Sequence, residues 1–360
     1  MANTITSRQM VFILFLTLTS VTVVTIPKVM AEAAGVGNWI TLMSTAVIFG
    51  ILASVIARLN RAFPGKALYD YSRDLVGKAG CCIIAVFYLL YFLMVDTYLC
   101  NAMASMLQAN FLFKTPYWAF LAVGLPVFGY LAYHGPVNVA RIFELYGMVF
   151  LVGLLVVHIN MLSQGDLEDI LPLIVPSEIG RAFGAMVKAI IAFLGIEVLT
   201  VMPFSGKSKK APRTAFLALL AVGVIYVIVV ESSIMMIGLH EIQYYEYALL
   251  PAIRQLNLEK IEFLKRVDMI YLTIGLMGIF AGMSVVYLAV VEYASRLLPR
   301  VKRAAIVIAA GVLIFGLSMI GFGIPDFKEI ITGYISYTGL IAAGLIPAVL
   351  LIVAKVKKRA

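Results

Sequence analysis

The chain has 360 residues, 62% hydrophobic and only 13% charged, with a formal net charge of +9. A water-soluble domain carries about 25% charged residues, so this chain has too little polar surface to face water on all sides. Its basic residues sit in short segments between long apolar runs, which argues against nucleic acid as a partner.

About 20 consecutive apolar residues span a bilayer core as a helix. The runs here are continuous and do not alternate over short segments, which excludes a β-barrel. The chain therefore reads as an all-α membrane protein of about ten transmembrane helices. The predicted spans are 10–34, 39–59, 80–107, 117–133, 139–163, 182–203, 214–240, 267–295, 304–323 and 334–355. They form a single membrane domain, 1–360.

The connecting charges set the expected orientation. Alternate loops hold Arg8, then Arg58 to Lys78, then Lys207 to Arg213, then Arg296 to Arg303, then Lys355 to Arg359, which is 18 of the 28 basic residues. That bias places these loops and both termini in the cytoplasm. The loop with Asp166, Glu168, Asp169 and Glu178 is then external. Val29-Met30-Ala31 offers a cleavage-like site, but the apolar stretch from Met10 to Ile26 is long for a signal peptide. The first span is expected to remain.

That first span has a polar, β-branched middle at Ser20-Val21-Thr22 and a proline at Pro27. The sixth has Gly195 and Glu197 past its middle and ends on Pro203. Each proline lies seven residues after its candidate break, at Ser20 and Ile196. Broken helices in spans one and six are the pattern of two inverted five-helix repeats, here 10–163 and 182–355. A break exposes N–H groups on one half-helix and C=O groups on the other, which attract an anion and a cation. A pair of breaks can thus hold an amino acid zwitterion without charged side chains. The plainer alternative is a proline kink, with Ser and Thr bonding back to their own helix.

Buried ionisable residues in the membrane are functional hypotheses by default. Glu197, beside the sixth-span break, is a candidate to accept a proton, bind an amine or brace the unwound segment. Asp96 in the third span and Glu231 in the seventh are candidate ligand or proton sites, or partners within the bundle. Lys188 is expected to snorkel. Lys28 is expected near the outer surface, and Arg141 and Glu144 are expected to pair across one helical turn. Gly275, Gly278 and Gly282 line the eighth span and allow close helix approach. Residues 251–260, in an external segment, are expected to form a short helix. Cys81, Cys82 and Cys100 read as packing residues. His134, His158 and His240 have no metal-ligand spacing, and no catalytic motif is present. No enzyme activity, cofactor or metal is expected.

Several stretches resemble the spore-germination permease family, the B subunits of nutrient germinant receptors in the amino acid/polyamine/organocation superfamily. They are Ile5-Thr6-Ser7-Arg8-Gln9 before the first span, Phe63-Pro64-Gly65-Lys66 after the second, and Gly195-Ile196-Glu197 through Pro203 in the sixth. Phe263-Leu264-Lys265-Arg266-Val267-Asp268, before the eighth, resembles a family Glu-Arg-x-Asp signature. The resemblance runs over essentially the whole chain. It implies a LeuT-type fold and a nutrient-binding subunit, acting with A and C subunits in the spore inner membrane. The expected ligand is a small nutrient, an amino acid in the leading reading, held between spans 1, 3, 6 and 8. The expected contacts are Ser20, Val21, Thr22, Phe193, Gly195, Ile196, Glu197 and, from its place in that fold, Ser284. An amino acid or amine transporter is the alternative, and a partner with a vestigial pocket a third reading. Where the family has glycine at the first break this chain has Ser20-Val21-Thr22, which predicts a smaller break or a narrower pocket.

Overall fold

The computed structural model describes residues 4–205, 210–256 and 267–357, with the side chains of 267–272 and 274 outside the description. The Phe263–Asp268 motif and the basic residues Lys207, Lys209, Lys358 and Arg359 fall outside it.

Among the described residues the helices group into ten spans. The first is α1 (Ser7–Thr19) with α2 (Thr22–Ala34), and the second is α3 (Asn38–Ala62). The third lies in α4 (Leu68–Asn110), which bends at Gly77, where φ is +79°. The fourth is α5 (Tyr117–Tyr133) and the fifth α6 (Pro136–Gln164). The sixth comprises α7 (Ile179–Gly184), α8 (Met186–Phe193) and a 3-10 helix (Ile196–Val201). The seventh is α9 (Ala211–Ile237). After α10 (Leu249–Arg254), which covers part of the expected external helix, come α11 (Val267–Leu297) and α12 (Arg303–Phe322). The tenth joins α13 (Phe327–Leu340) to α14 (Ile346–Val356) through a π-turn at Ile341–Leu345.

Seven helical stretches among the described residues are long and apolar enough to cross a membrane unaided. The others are the bent sixth span, α1, and α5, whose 17 residues reach about 26 Å. Ile83, Leu90, Val123, Leu145, Ile308 and Val312 are all more than half exposed on these helices. Asp96, Glu197, Thr200 and Ser284 are buried inside. Apolar outside and polar inside is untenable in water but natural in lipid. This is a multi-pass membrane protein.

Small residues set the helix spacing. The second and seventh spans grip each other reciprocally: a Cβ on Gly50 would lie 2.8 Å from the Phe216 ring, and one on Gly223 would lie 2.6 Å from Ala46 Cβ. Gly147 of the fifth span seats Phe12 of the first, and Gly339 of the tenth seats Leu194 of the sixth. Span five thus bears on span one, and span ten on span six. The eighth span, α11, lies against α1, α4, α5 and α6 and closes the centre.

Candidate functional site

The two breaks differ. In the sixth span Leu194 is extended (ψ 142°) and Gly195 has φ +127°, a backbone that only glycine adopts cheaply. In the first span Ser20 and Val21 both keep negative φ and ψ, so the chain turns sharply there without becoming extended. The β-branched sequence at this break thus goes with a two-residue turn.

The breaks face each other. A Cβ on Gly195 would lie 3.1 Å from Thr17 Cγ2 and 3.3 Å from Leu18 Cδ2. From the seventh span, the Tyr226 hydroxyl lies 2.6 Å from the Leu18 carbonyl and 2.8 Å from the Ala192 carbonyl, donating into both. In unbroken helices these carbonyls would face the amides of Thr22 and Ile196, which lie beyond the breaks.

Glu197 is 1% exposed and braces the sixth-span break from within. Its Oε2 accepts the Gly195 N–H at 2.9 Å, and its Oε1 accepts the Tyr91 hydroxyl of the third span at 2.6 Å. The following 3-10 helix is held by three further bonds. Asn60 Nδ2 donates to the Leu199 carbonyl at 2.8 Å, the Thr200 hydroxyl to the Glu197 carbonyl at 2.6 Å, and the Tyr293 hydroxyl to Thr200 Oγ1 at 2.9 Å. Three other spans, the second, third and eighth, therefore fix one short segment. A 3-10 helix has poorer internal hydrogen bonds than an α-helix, which these external partners offset.

Of the other expected site residues, Val21 and Ile196 are buried at the breaks and Thr22 is half-buried. Phe193 faces spans two and seven, against Phe49 and Tyr226 at ring-centroid distances of 5.8 and 5.3 Å. Ser20 and Ser284 bond back to their own helices, at the carbonyls of Thr17 and Phe280. Gly282 of the eighth span rests directly on Ser20.

Both ends of the junction are tied. On the basic face the Ile5 N–H donates to the Pro203 carbonyl at 2.8 Å, and the Ser205 N–H donates to the Ile5 carbonyl at 3.2 Å. Gly65, at φ +74°, donates to the Phe204 carbonyl at 2.9 Å. The motif residues now have physical roles. Thr6 and Gln9 cap α1 reciprocally, Arg8 pairs with Glu144 at 2.9 Å, Phe63 stacks on Tyr71, and Lys66 pairs with Asp74. On the opposite face Arg181 of α7 donates to the carbonyls of Glu32 and Ala33 at the end of α2. Lys28 there pairs with Glu32.

Sequence reasoning missed Tyr91, Tyr226, Tyr293 and Asn60. The available signal was the placement of hydrogen-bonding side chains deep in apolar spans, where each needs a partner. Asp96 is fully buried, and its carboxyl oxygens have no hydrogen-bond partner among the described residues. It lies one turn before Cys100 on α4 and near Tyr287 of α11. Glu231 contacts Asn38 at the start of α3. The three cysteines are unpaired, and no cluster with metal-holding composition occurs among the described residues.

Residues 4–324 match the family described as spore germination protein. The chain is 23% identical to spore germination protein YndE of Bacillus subtilis (strain 168), covering 99% of this chain and 97% of that protein. It is 24% identical to spore germination protein A2 of the same organism, over 93% of this chain and 91% of that one. Among solved structures it is similar to MhsT in complex with L-phenylalanine, with a TM-score of 0.68, 97% coverage of both chains and 11% identity. The architecture is the LeuT-type fold, with interrupted first and sixth helices.

Proposed function

The chain belongs to the spore germination protein family, and on that premise we propose that it is the permease-like subunit of a spore nutrient germinant receptor. It binds a small nutrient, an amino acid in the simplest case, at the junction of the first and sixth spans. The observation that carries this reading is the pair of facing breaks, with Glu197 committed to Gly195 and Tyr91. Around the breaks stand Ser20, Val21, Thr22, Gly195 and Ile196, all neutral. Such a site fits a molecule of no net charge whose own charges meet backbone ends. Glu197 and Phe193 shape the pocket from behind, and Ser284 supports the eighth-span wall.

Binding acts by preferring one conformation of the bundle over another, since a ligand shifts an equilibrium only by its differential affinity. The ties at the two ends are the contacts such a shift would exchange. The halves that move are the two five-helix repeats, 10–163 and 182–355. The reading assigns no catalysis and no cofactor. It places the protein in the spore inner membrane with A and C subunits as partners, the basic face and both termini being cytoplasmic by the loop-charge rule.

Spores lacking this gene are expected to lose the germination response to at least one nutrient. Unchanged responses across a broad nutrient panel would contradict the proposal. The fold also suits a secondary transporter, for which proteoliposomes would show net substrate flux; the receptor reading requires binding without requiring flux.

A further inference from the structure

The tenth span leaves the α-helix at its π-turn, and Pro347 is the residue that forces a choice there. Proline has no N–H, so one carbonyl ahead of it loses its amide partner. In an α register that carbonyl would be Ala343, four residues back. In the π-turn at Ile341–Leu345 the bonds reach five residues back, and the Ile346 N–H donates to the Ile341 carbonyl. The carbonyl facing the missing amide is then that of Ala342, a fully buried residue. The Tyr88 hydroxyl of the third span donates to it at 2.6 Å. The Tyr88 ring is itself fully buried and lies parallel to Tyr293 of the eighth span, with centroids 5.1 Å apart. The Tyr293 hydroxyl in turn holds Thr200 in the 3-10 helix of the sixth span.

The register decides what meets the sixth-span break. Gly339, just ahead of the π-turn, seats Leu194, the extended residue of that break. A Cβ on Gly339 would lie 2.6 Å from both δ-carbons of Leu194. One residue turns an α-helix by about 100°. Drawing the same residues into an α register would rotate α13 against α14 by about that angle and carry Gly339 off its seat. Its neighbours Thr338 and Leu340 both bear side chains, where only a hydrogen fits. We propose that Tyr88 is a positioning residue for the sixth-span break: its hydroxyl holds the tenth span in the π register, and that register presents Gly339 to Leu194. Tyr88 acts through the tenth span and touches no ligand. Its consequence for ligand binding rests on the nutrient site proposed above; the choice of register does not.

The test is amide hydrogen exchange of the purified full-length chain in lipid nanodiscs, without nutrient, on wild type, Tyr88→Phe, Pro347→Ala and the double variant. Tyr88→Phe is expected to speed exchange by about tenfold in peptides covering 341–346, as the loss of one buried hydrogen bond implies. Peptides covering 193–201 are expected to speed up with them. Pro347→Ala restores an N–H at the position that faces the Ala342 carbonyl in the π register. In that background Tyr88→Phe is therefore expected to change little in either segment. If Tyr88→Phe accumulates poorly, the double variant is expected to accumulate better. Faster exchange confined to the tenth span would overturn the proposal, since the register would then not position the break. An equal effect of Tyr88→Phe with and without Pro347 would also overturn it, because the hydroxyl would then be an ordinary tertiary bond. So would no effect in either background, or a rise spread evenly over the whole chain. With no nutrient present, these outcomes are independent of the nutrient site: a chain that binds no nutrient can still show the expected pattern.

Discussion

Replacing Glu197 by alanine is expected to destabilise the protein by about 2–5 kcal/mol and to abolish the nutrient response. The carboxylate accepts two hydrogen bonds at once, from the Gly195 N–H and the Tyr91 hydroxyl, in a place that is 1% exposed. Truncation leaves both donors without acceptor or water, and each orphaned donor costs about 1–3 kcal/mol. The membrane reference state reduces such numbers, because the unfolded helices also find partners there. Gly195 is held at φ +127° partly by this bond, so the break itself loosens. Glu197→Gln keeps one acceptor and turns an NH2 toward the other donor, so it falls between wild type and alanine. Tyr91→Phe removes one bond and is expected to cost about 1 kcal/mol. Unfolding of the purified variants checks the order, wild type above glutamine above alanine. A Glu197→Ala protein as stable as wild type would mean the sixth-span break is not braced here.

Gly282→Ala should have the next largest effect, and through geometry alone. The added Cβ would stand 2.5 Å from Ser20 Cβ, 2.6 Å from Ser20 Oγ and 3.3 Å from the Leu16 carbonyl. The hydroxyl can rotate away, but Cβ is fixed by the Ser20 Cα and the carbonyl is backbone, so neither yields unless the first span moves. The eighth span must therefore retreat from the break, at a cost of about 1–3 kcal/mol for overpacking. Gly316→Ala in the ninth span is the control, since nothing lies within 4 Å of its added Cβ. That change is expected to be neutral or stabilising by up to about 1 kcal/mol, from helix propensity. Ser20→Gly removes the colliding Cβ, so the double variant Ser20→Gly/Gly282→Ala is expected to recover packing lost in Gly282→Ala. Failure of that rescue would show that the contact is not what limits the site.

These two predictions rest on features of unequal visibility in the sequence. The ten spans follow from uninterrupted apolar runs and alternating basic loops, because the bilayer imposes one length and one charge rule on every helix. The sixth-span break was announced by Gly195 and Pro203. The first was signalled by Pro27 and a hydroxyl-rich middle, while the β-branched residues left open whether the break would be smaller or the pocket narrower. Other features depend on contacts between distant parts of the chain. Ile5 meets Phe204, and Gly65 meets the same residue, so the three motif segments close one face together. Nothing local to Ile5 says so. Tyr91 and Tyr226 were equally silent, because a tyrosine in a membrane helix is as easily an interfacial anchor as a clamp. Their targets are a carboxylate in another span and two backbone carbonyls, and a carbonyl has no letter in the sequence. Ser284 shows the converse, since its hydroxyl is fully met by the Phe280 carbonyl one turn back.

The central claim is that the facing breaks form a nutrient site. It is tested most directly by the melting temperature of the purified chain in lipid nanodiscs, titrated with a panel of amino acids and other small nutrients. At least one nutrient should raise the melting temperature in proportion to the logarithm of its concentration. That shift should vanish in Gly282→Ala under conditions where Gly316→Ala retains it. A folded wild-type protein that no nutrient stabilises, or a stabilisation that Gly282→Ala leaves untouched, would contradict a nutrient site at this junction.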